Sequence, residues 1–228
     1  MFYGMTTGVY YILTIGLLIM SLIISGVVKS LFRKYSAVAA SFTGRQAAER
    51  ILRANGIYDV AVTGVGGTLT DNYSPMNKTL NLSENVIDTA SVAAVAIAAH
   101  ESGHAIQHAQ GYIPLQIRKT LVPAANICSS FSYILVLLGL FFQQFSVLID
   151  IGVILFAVVV LVHLVTLPVE MNASRRALAN MEELGLVSSD SEGIARKLLT
   201  AAALTYFVAL ASVMVQFLRL LSLARRRN

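Results

Sequence analysis

The sequence predicts a mainly α-helical, polytopic membrane protein with one small β-meander. Three observations carry that expectation. Hydrophobic residues make up 56% of the 228-residue chain and charged residues only 13%, about half the charged share of ordinary soluble domains. Mean hydropathy is +0.71. The apolar residues also come in long uncharged blocks rather than in alternation, and four blocks reach the roughly 20 residues that a helix needs to cross a bilayer.

The first block, Met1 to Val28, contains no charge, and its apolar centre starts near Val9. It lacks a basic start and exceeds the roughly 7–15 residues of a signal-peptide core, so it reads as an uncleaved anchor. The other blocks are Leu121 to Ile149, Ile151 to Val169 and Leu198 to Leu218. Between the first two lies the main polar region, about Lys29 to Thr120. Within it, Ser41 to Asn55 reads as an amphipathic helix, with Ala47, Ile51, Leu52 and Ala54 interleaved among Arg45, Glu49, Arg50 and Arg53 and with Gly56 as its stop. Val60–Val62, Thr68–Thr70 and Thr79–Leu82 are short strand-forming runs punctuated by Gly64, Gly66, Gly67 and the turn Asp71 to Pro75, which suggests a meander. Ser91 to Gln110 is alanine-rich and helical, ending at Gly111. Met171 to Lys197 is a second polar, helical piece, with Pro168 placed in the first turn of a new helix.

The net charge of +5 follows from basic loops flanking membrane spans, and no block of basic and aromatic residues forms a nucleic-acid groove. Nucleic acid is therefore not an expected partner. The lone Cys128 can close no internal disulfide and no thiolate cluster.

The chemistry lies in the helix that holds His100-Glu101-Ser102-Gly103-His104, an H-E-x-x-H motif. Histidines at i and i+4 share a helix face and can hold one Zn²⁺, with the glutamate beside the open position to take a proton from water. At about 100° per residue, His104 falls about 40° from His100, Glu101 about 100°, Gln107 about −20° and His108 about 80°. Every strongly polar side chain of the helix shares one sector of about 120°, and the rest is Ala, Val and Ile. A chance match of three fixed positions is the bland alternative; the polar stripe on a buried helix argues against it.

A catalytic zinc keeps three protein ligands and one exchangeable position. The metzincin continuation fails, because Gln107 stands in place of its glycine and Gln110 in place of its histidine. His108 lies too far along the same stripe to close a tetrahedral site and suits a supporting or substrate-facing role. Of the acidic residues beyond Glu101, Glu182, Glu183, Asp190 and Glu192 have polar neighbours, and Asp150 falls at the far tip of the hairpin made by the second and third spans. Glu170, directly after Leu167-Pro168-Val169, returns to the side of the motif, and an acidic residue there is functional by default. Its alternative is an interfacial carboxylate paired with Arg175. His163, inside the third span, either lines a polar cavity or is satisfied by a backbone carbonyl.

The run Ala98 to His108, together with Gly67-Thr68-Leu69-Thr70-Asp71, Leu167-Pro168-Val169-Glu170 and Ala202-Ala203-Leu204-Thr205-Tyr206, resembles the YugP-like neutral zinc metallopeptidases of bacterial membranes along nearly the whole chain. More distantly it is similar to the HtpX-type membrane gluzincins. The resemblance implies a gluzincin-like zinc metalloprotease domain with one zinc per chain, held by His100, His104 and Glu170. It implies Glu101 as general base and a peptide substrate lying against a strand near the motif helix. Ser174 stands where the HtpX-type pattern has an aspartate, and Asn72 and Ser74 stand in a turn where relatives often carry a histidine and an aspartate, so no role is carried over to those three.

These readings divide the chain into an anchor (1–34), a catalytic region (35–120), a transmembrane hairpin (121–169), a third-ligand segment (170–197) and an apolar helix with a basic tail (198–228). Thirteen of the 17 Lys and Arg residues fall in the two polar regions that share a side with the motif, which puts the active site in the cytoplasm; the resemblance implies a bacterial inner membrane. Arg219 and Arg225 to Arg227 disagree if the last helix crosses. The expected function is a zinc metalloendopeptidase acting on membrane or membrane-proximal polypeptides. The alternative is a non-catalytic zinc-binding membrane scaffold or partner subunit; a metal carrier lacks the intramembrane acids it would need. Besides substrate and bilayer, a second copy or a membrane partner protein is a possible associate.

Overall fold

The computed structural model describes residues 6–225; the start of the first expected span, and Arg226 and Arg227 of the basic tail, lie outside the described residues. The chain is mainly helical and polytopic. Its elements are α1 (Thr7–Ser36), α2 (Gly44–Ala54), β1 (Ala61–Val65), β2 (Asn72–Ser74), β3 (Thr79–Ser83), α3 (Glu84–Ile87), α4 (Val92–Ala109), α5 (Ile113–Phe141), a 3₁₀ turn (Gln143–Phe145), α6 (Val147–Glu183) and α7 (Ser189–Arg225). Four of these helices, α1, α5, α6 and α7, are long and apolar enough to cross a membrane. The contacts group the chain into two compact units, one of Ile24–Leu115 with Val169–Leu204, the other of Met1–Ile23, Gln116–Pro168 and Thr205–Asn228.

The first of these units is built around α4. Thr43 caps α2 with a full capping box, its hydroxyl accepting from the Gln46 amide while the Gln46 side chain accepts from the Thr43 amide. This fixes the start of an amphipathic helix whose Ala47, Ala48, Ile51 and Leu52 are buried. They pack against the alanine face of α4, where Ala93, Ala94, Ala96, Ala98 and Ala99 are fully enclosed. Small side chains let the two helices approach closely, and the joint apolar burial is the main stabilising contribution here. Ser91 caps α4 by accepting from the Ala94 amide. At the other end Gly111, at φ +64°, reverses the chain: its N–H donates to the His108 carbonyl and that of Tyr112 to the Gln107 carbonyl, the paired bonds of a Schellman stop.

The sheet departs from the expected meander. Its order is β1-β3-β2, with β2 antiparallel and β1 parallel to β3. The run Thr68–Thr70 is no strand, because Gly67 and Leu69 adopt φ of +101° and +57°, which break an extended backbone; the strand starts two residues later. A row of side chains crosses the sheet: the Thr63 hydroxyl donates to Asn81 Oδ1, and Asn81 Nδ2 to Asn72 Oδ1. Asn72 is thus a sheet-edge residue. Asp71 accepts from both the amide and the hydroxyl of Ser83, which anchors the loop to β3.

Pro168 does not begin a new helix. The third apolar block and the polar piece after it form one continuous helix, α6, with Pro168 inside it. Proline removes one helical bond, but an apolar stretch in a bilayer has no better way to satisfy its remaining backbone groups than to stay helical.

In the other unit, Phe156 is buried between Tyr133, edge-on at 5.6 Å, and Phe217, stacked at 6.5 Å. The buried Ser132 hydroxyl donates to the Gly152 carbonyl over 2.7 Å, an interhelical bond suited to an apolar surrounding. His163 donates from Nδ1 to the Val159 carbonyl at 2.9 Å, so a backbone carbonyl satisfies its ring.

Candidate metal centre

The polar stripe of α4 meets α6 at one point. Gly103 lies against the α6 backbone at Ala173, where any side chain would meet the Ala173 carbonyl. That close approach presents Glu170, one turn earlier on α6, to the two histidines. His100 Nε2 lies 3.2 Å and His104 Nε2 3.5 Å from the same Glu170 oxygen, Oε2, and the three ligand atoms all lie within 4.8 Å of one another. Zinc–nitrogen and zinc–oxygen bonds of about 2.0–2.1 Å at tetrahedral angles place neighbouring ligand atoms roughly 3.3 Å apart. The donor set and both histidine–carboxylate spacings fit that ion. Glu170 is only 1% exposed, and a buried carboxylate is retained where cations or metals compensate it.

Both imidazoles are held from behind. Gln107 donates both protons of its amide nitrogen, to the Val169 carbonyl at 2.8 Å and to Asn172 Oδ1 at 2.9 Å. Its oxygen is thereby turned to His104 Nδ1, 3.0 Å away. An oxygen there can only accept, so Nδ1 carries the proton and Nε2 offers its lone pair to the site. Arg176 donates from Nε to the same Asn172 oxygen, and from its guanidinium to Gln110 Oε1. The chain of bonds therefore runs from His104 to the end of α4. His100 is treated similarly: its Nδ1 lies 3.1 Å from the Ser174 hydroxyl. Ser174 thus meets this ring with a neutral hydroxyl. Burial pushes the His104 imidazole toward its neutral form, but the Glu170 and Glu101 carboxylates and the Gln107 oxygen outweigh it and raise its pKa above the usual histidine value.

Glu101 is buried beside this cluster and takes no hydrogen bond or ion pair among the described residues. His108 stands apart from the three ligand atoms; its Nδ1 is 2.8 Å from the Tyr73 hydroxyl on β2, with the rings tilted at 5.8 Å. Burial, with the Asp59 carboxylate adding to it, holds the Tyr73 phenol above its ordinary pKa. The sequence alone assigns no role to Gln107, Asn172 or Arg176. The one signal available was that Gln107 shares the polar sector of α4 with His104.

The family model described as "putative neutral zinc metallopeptidase" matches residues 10–225. "Putative membrane protease YugP" of Bacillus subtilis (strain 168) is 43% identical over 194 residues, covering 84% of this chain and 86% of that protein. No solved structure matches. With nearly its whole length matched, the chain belongs to the neutral zinc metallopeptidase family described by that model.

Proposed function

We propose that this protein is a membrane-embedded zinc metalloendopeptidase that hydrolyses peptide bonds of membrane or membrane-proximal polypeptides. One observation carries the reading: three ligand atoms converge, both histidines at tetrahedral spacing from the Glu170 oxygen, beside the buried Glu101 carboxylate, which takes no hydrogen bond or ion pair among the described residues. A structural metal site needs ligands but no such group, which weighs against a non-catalytic scaffold.

His100, His104 and Glu170 would hold one zinc ion per chain, and bound zinc supplies Lewis-acid polarisation of water and of the scissile carbonyl. Glu101 accepts a proton from the attacking water, whose oxygen forms the new bond to the carbonyl carbon. As the carbon–nitrogen bond breaks, Glu101 returns that proton to the leaving amine. Gln107 and Ser174 keep the imidazoles oriented through the cycle. β2 is an outer strand packed beside α4, and a substrate backbone adding to the sheet there would pass the motif helix. The distribution of basic residues supports a cytoplasmic active site, and the similarity to a Bacillus subtilis membrane protease supports a bacterial cell membrane.

The test compares the purified parent with Glu101→Gln for zinc content and for cleavage of casein and of an unfolded membrane protein. Both should carry one zinc, and only the parent should cleave, with the variant down by about 10²–10⁴-fold. Equal cleavage by the two removes Glu101 as base; no cleavage by a zinc-loaded parent favours the scaffold.

A further inference from the structure

The chain's first charges stand where its first apolar run stops. Val9 to Val28 is uncharged, and Lys29 and Arg33 follow on one face of α1, one turn apart. Four residues of helix advance about 6 Å, while each polar layer of a bilayer is roughly 5–7 Å deep outside the hydrocarbon. Both cations therefore fall at the depth of lipid headgroups.

They also line a cleft of about 720 Å³, a size suited to a small ligand. Phe32 and Leu69 give it apolar lining, and Thr68 and Asn85 line it together with the cations. Asn85 Nδ2 donates to Thr68 Oγ1 at 2.9 Å, which leaves the Thr68 hydroxyl proton to be donated elsewhere. Among the described residues neither Lys29 nor Arg33 is ion-paired. Two cations without an ion pair, a hydroxyl donor and apolar lining at headgroup depth match a phosphodiester with acyl chains attached.

We propose that this cleft binds the headgroup of an anionic phospholipid and ties the base of α1 to the membrane surface. Lys29 and Arg33 clamp the phosphate, Thr68 donates to it, and the acyl chains follow the apolar face of α1, where Val27 is 44% exposed. The site is distinct from the metal centre and does not depend on the peptidase reading. A general excess of basic charge near the bilayer is the competing explanation. Lys34 separates the two: it stands one residue from Arg33 but lies over the Tyr35 ring and does not line the cleft.

The full chain in neutral detergent is titrated with short-chain phosphatidylglycerol, phosphatidylcholine, inorganic phosphate and an acidic peptide, with binding read by native mass spectrometry. One phosphatidylglycerol should bind per chain, in preference to phosphatidylcholine. Lys29→Gln/Arg33→Gln should weaken it on the order of 30-fold, near fivefold per cation, and Thr68→Glu, which sets a carboxylate in the cleft lining, should do the same. Lys34→Gln should bind as the parent does. Zinc content and circular dichroism equal to the parent show that the variants are folded. An equal loss in Lys34→Gln overturns the site in favour of diffuse charge. Inorganic phosphate binding as tightly as the lipid overturns the lipid assignment, and the acidic peptide doing so reassigns the cleft to a polypeptide.

Discussion

A β-carbon built onto Gly103 would lie 2.6 Å from the carbonyl oxygen of Ala173, so α4 and α6 make backbone contact between the two motif histidines. The obstacle is main chain, which cannot swing aside as a side chain would. Gly103→Ala should therefore push α6 away and carry Glu170 out of reach of His100 and His104, even though alanine is the better helix former by about 1 kcal/mol. Overpacking of this kind costs about 1–3 kcal/mol. A lower melting temperature with less zinc per chain is the expected outcome; a variant with parental zinc and stability would show that this contact does not position Glu170.

His104 and Gln107 give a second prediction. Gln107→Leu keeps bulk but removes the acceptor at Nδ1 and both donations to α6, so the ring is free to turn. Zinc affinity, measured by chelator competition, should fall about 10–100-fold. Gln107→Glu keeps an acceptor for Nδ1 but cannot donate to the Val169 carbonyl or to Asn172. If orientation of the ring is what matters, the glutamate variant retains more affinity than the leucine variant. Equal affinity in both variants and the parent would leave Gln107 with a packing role only.

Much of this arrangement is legible in the sequence because it depends on local periodicity. Uncharged runs of bilayer length mark the four long helices, Gly111 marks the end of α4, and His100, Glu101 and His104 share a sector by spacing alone. Glu170 is 66 positions beyond His104, yet an acid ending an apolar block is rare enough to stand out. What stays hidden depends on partners brought together by folding. The parallel pairing of β1 with β3 has no local signature, since a parallel register is set by the crossover and not by the strand residues. Pro168 reads as a helix start because proline suits a first turn, and only the continuous apolar surrounding makes the interior position tolerable. Gln107 acquires its role from Val169 and Asn172 on another helix, which no spacing within α4 reveals.

Asp59 and Lys78 supply a pH dependence away from the metal. The Lys78 ammonium, 2.5 Å from the carboxylate, holds the Asp59 pKa below its ordinary value through hydrogen bonding and charge. A carboxylate whose folded pKa is depressed stabilises the fold above the unfolded value and loses that contribution as pH falls through the folded one. Both groups are exposed, so the effect is small and screened by salt. Asp59→Asn should melt slightly below the parent at neutral pH and low salt. The gap should begin to narrow near pH 4, where the unfolded carboxyl protonates, and close once pH falls below the depressed folded value; it should also close in about 1 M salt. A gap that persists under both conditions would assign it to packing of the loop before β1.

Metal removal separates a ligand from a bystander at Glu170. An ion that binds only the folded chain adds stability of about 2.7 kcal/mol when its free concentration is a hundred times its Kd, and a chelator removes that contribution. The parent should therefore melt at a distinctly lower temperature after chelation, and regain the difference when zinc is restored. Glu170→Gln preserves shape and can still accept from an imidazole, but offers a neutral oxygen in place of a carboxylate. It should begin near the chelated parent and respond little to either chelator or zinc. Because Glu170 is almost wholly buried and lies against both imidazoles, its neutral replacement also weakens those contacts and by itself lowers the melting temperature. The chelator response is therefore the readout: its loss in Glu170→Gln isolates the missing zinc linkage, whereas a parental chelator response in that variant would remove Glu170 from the ligand set.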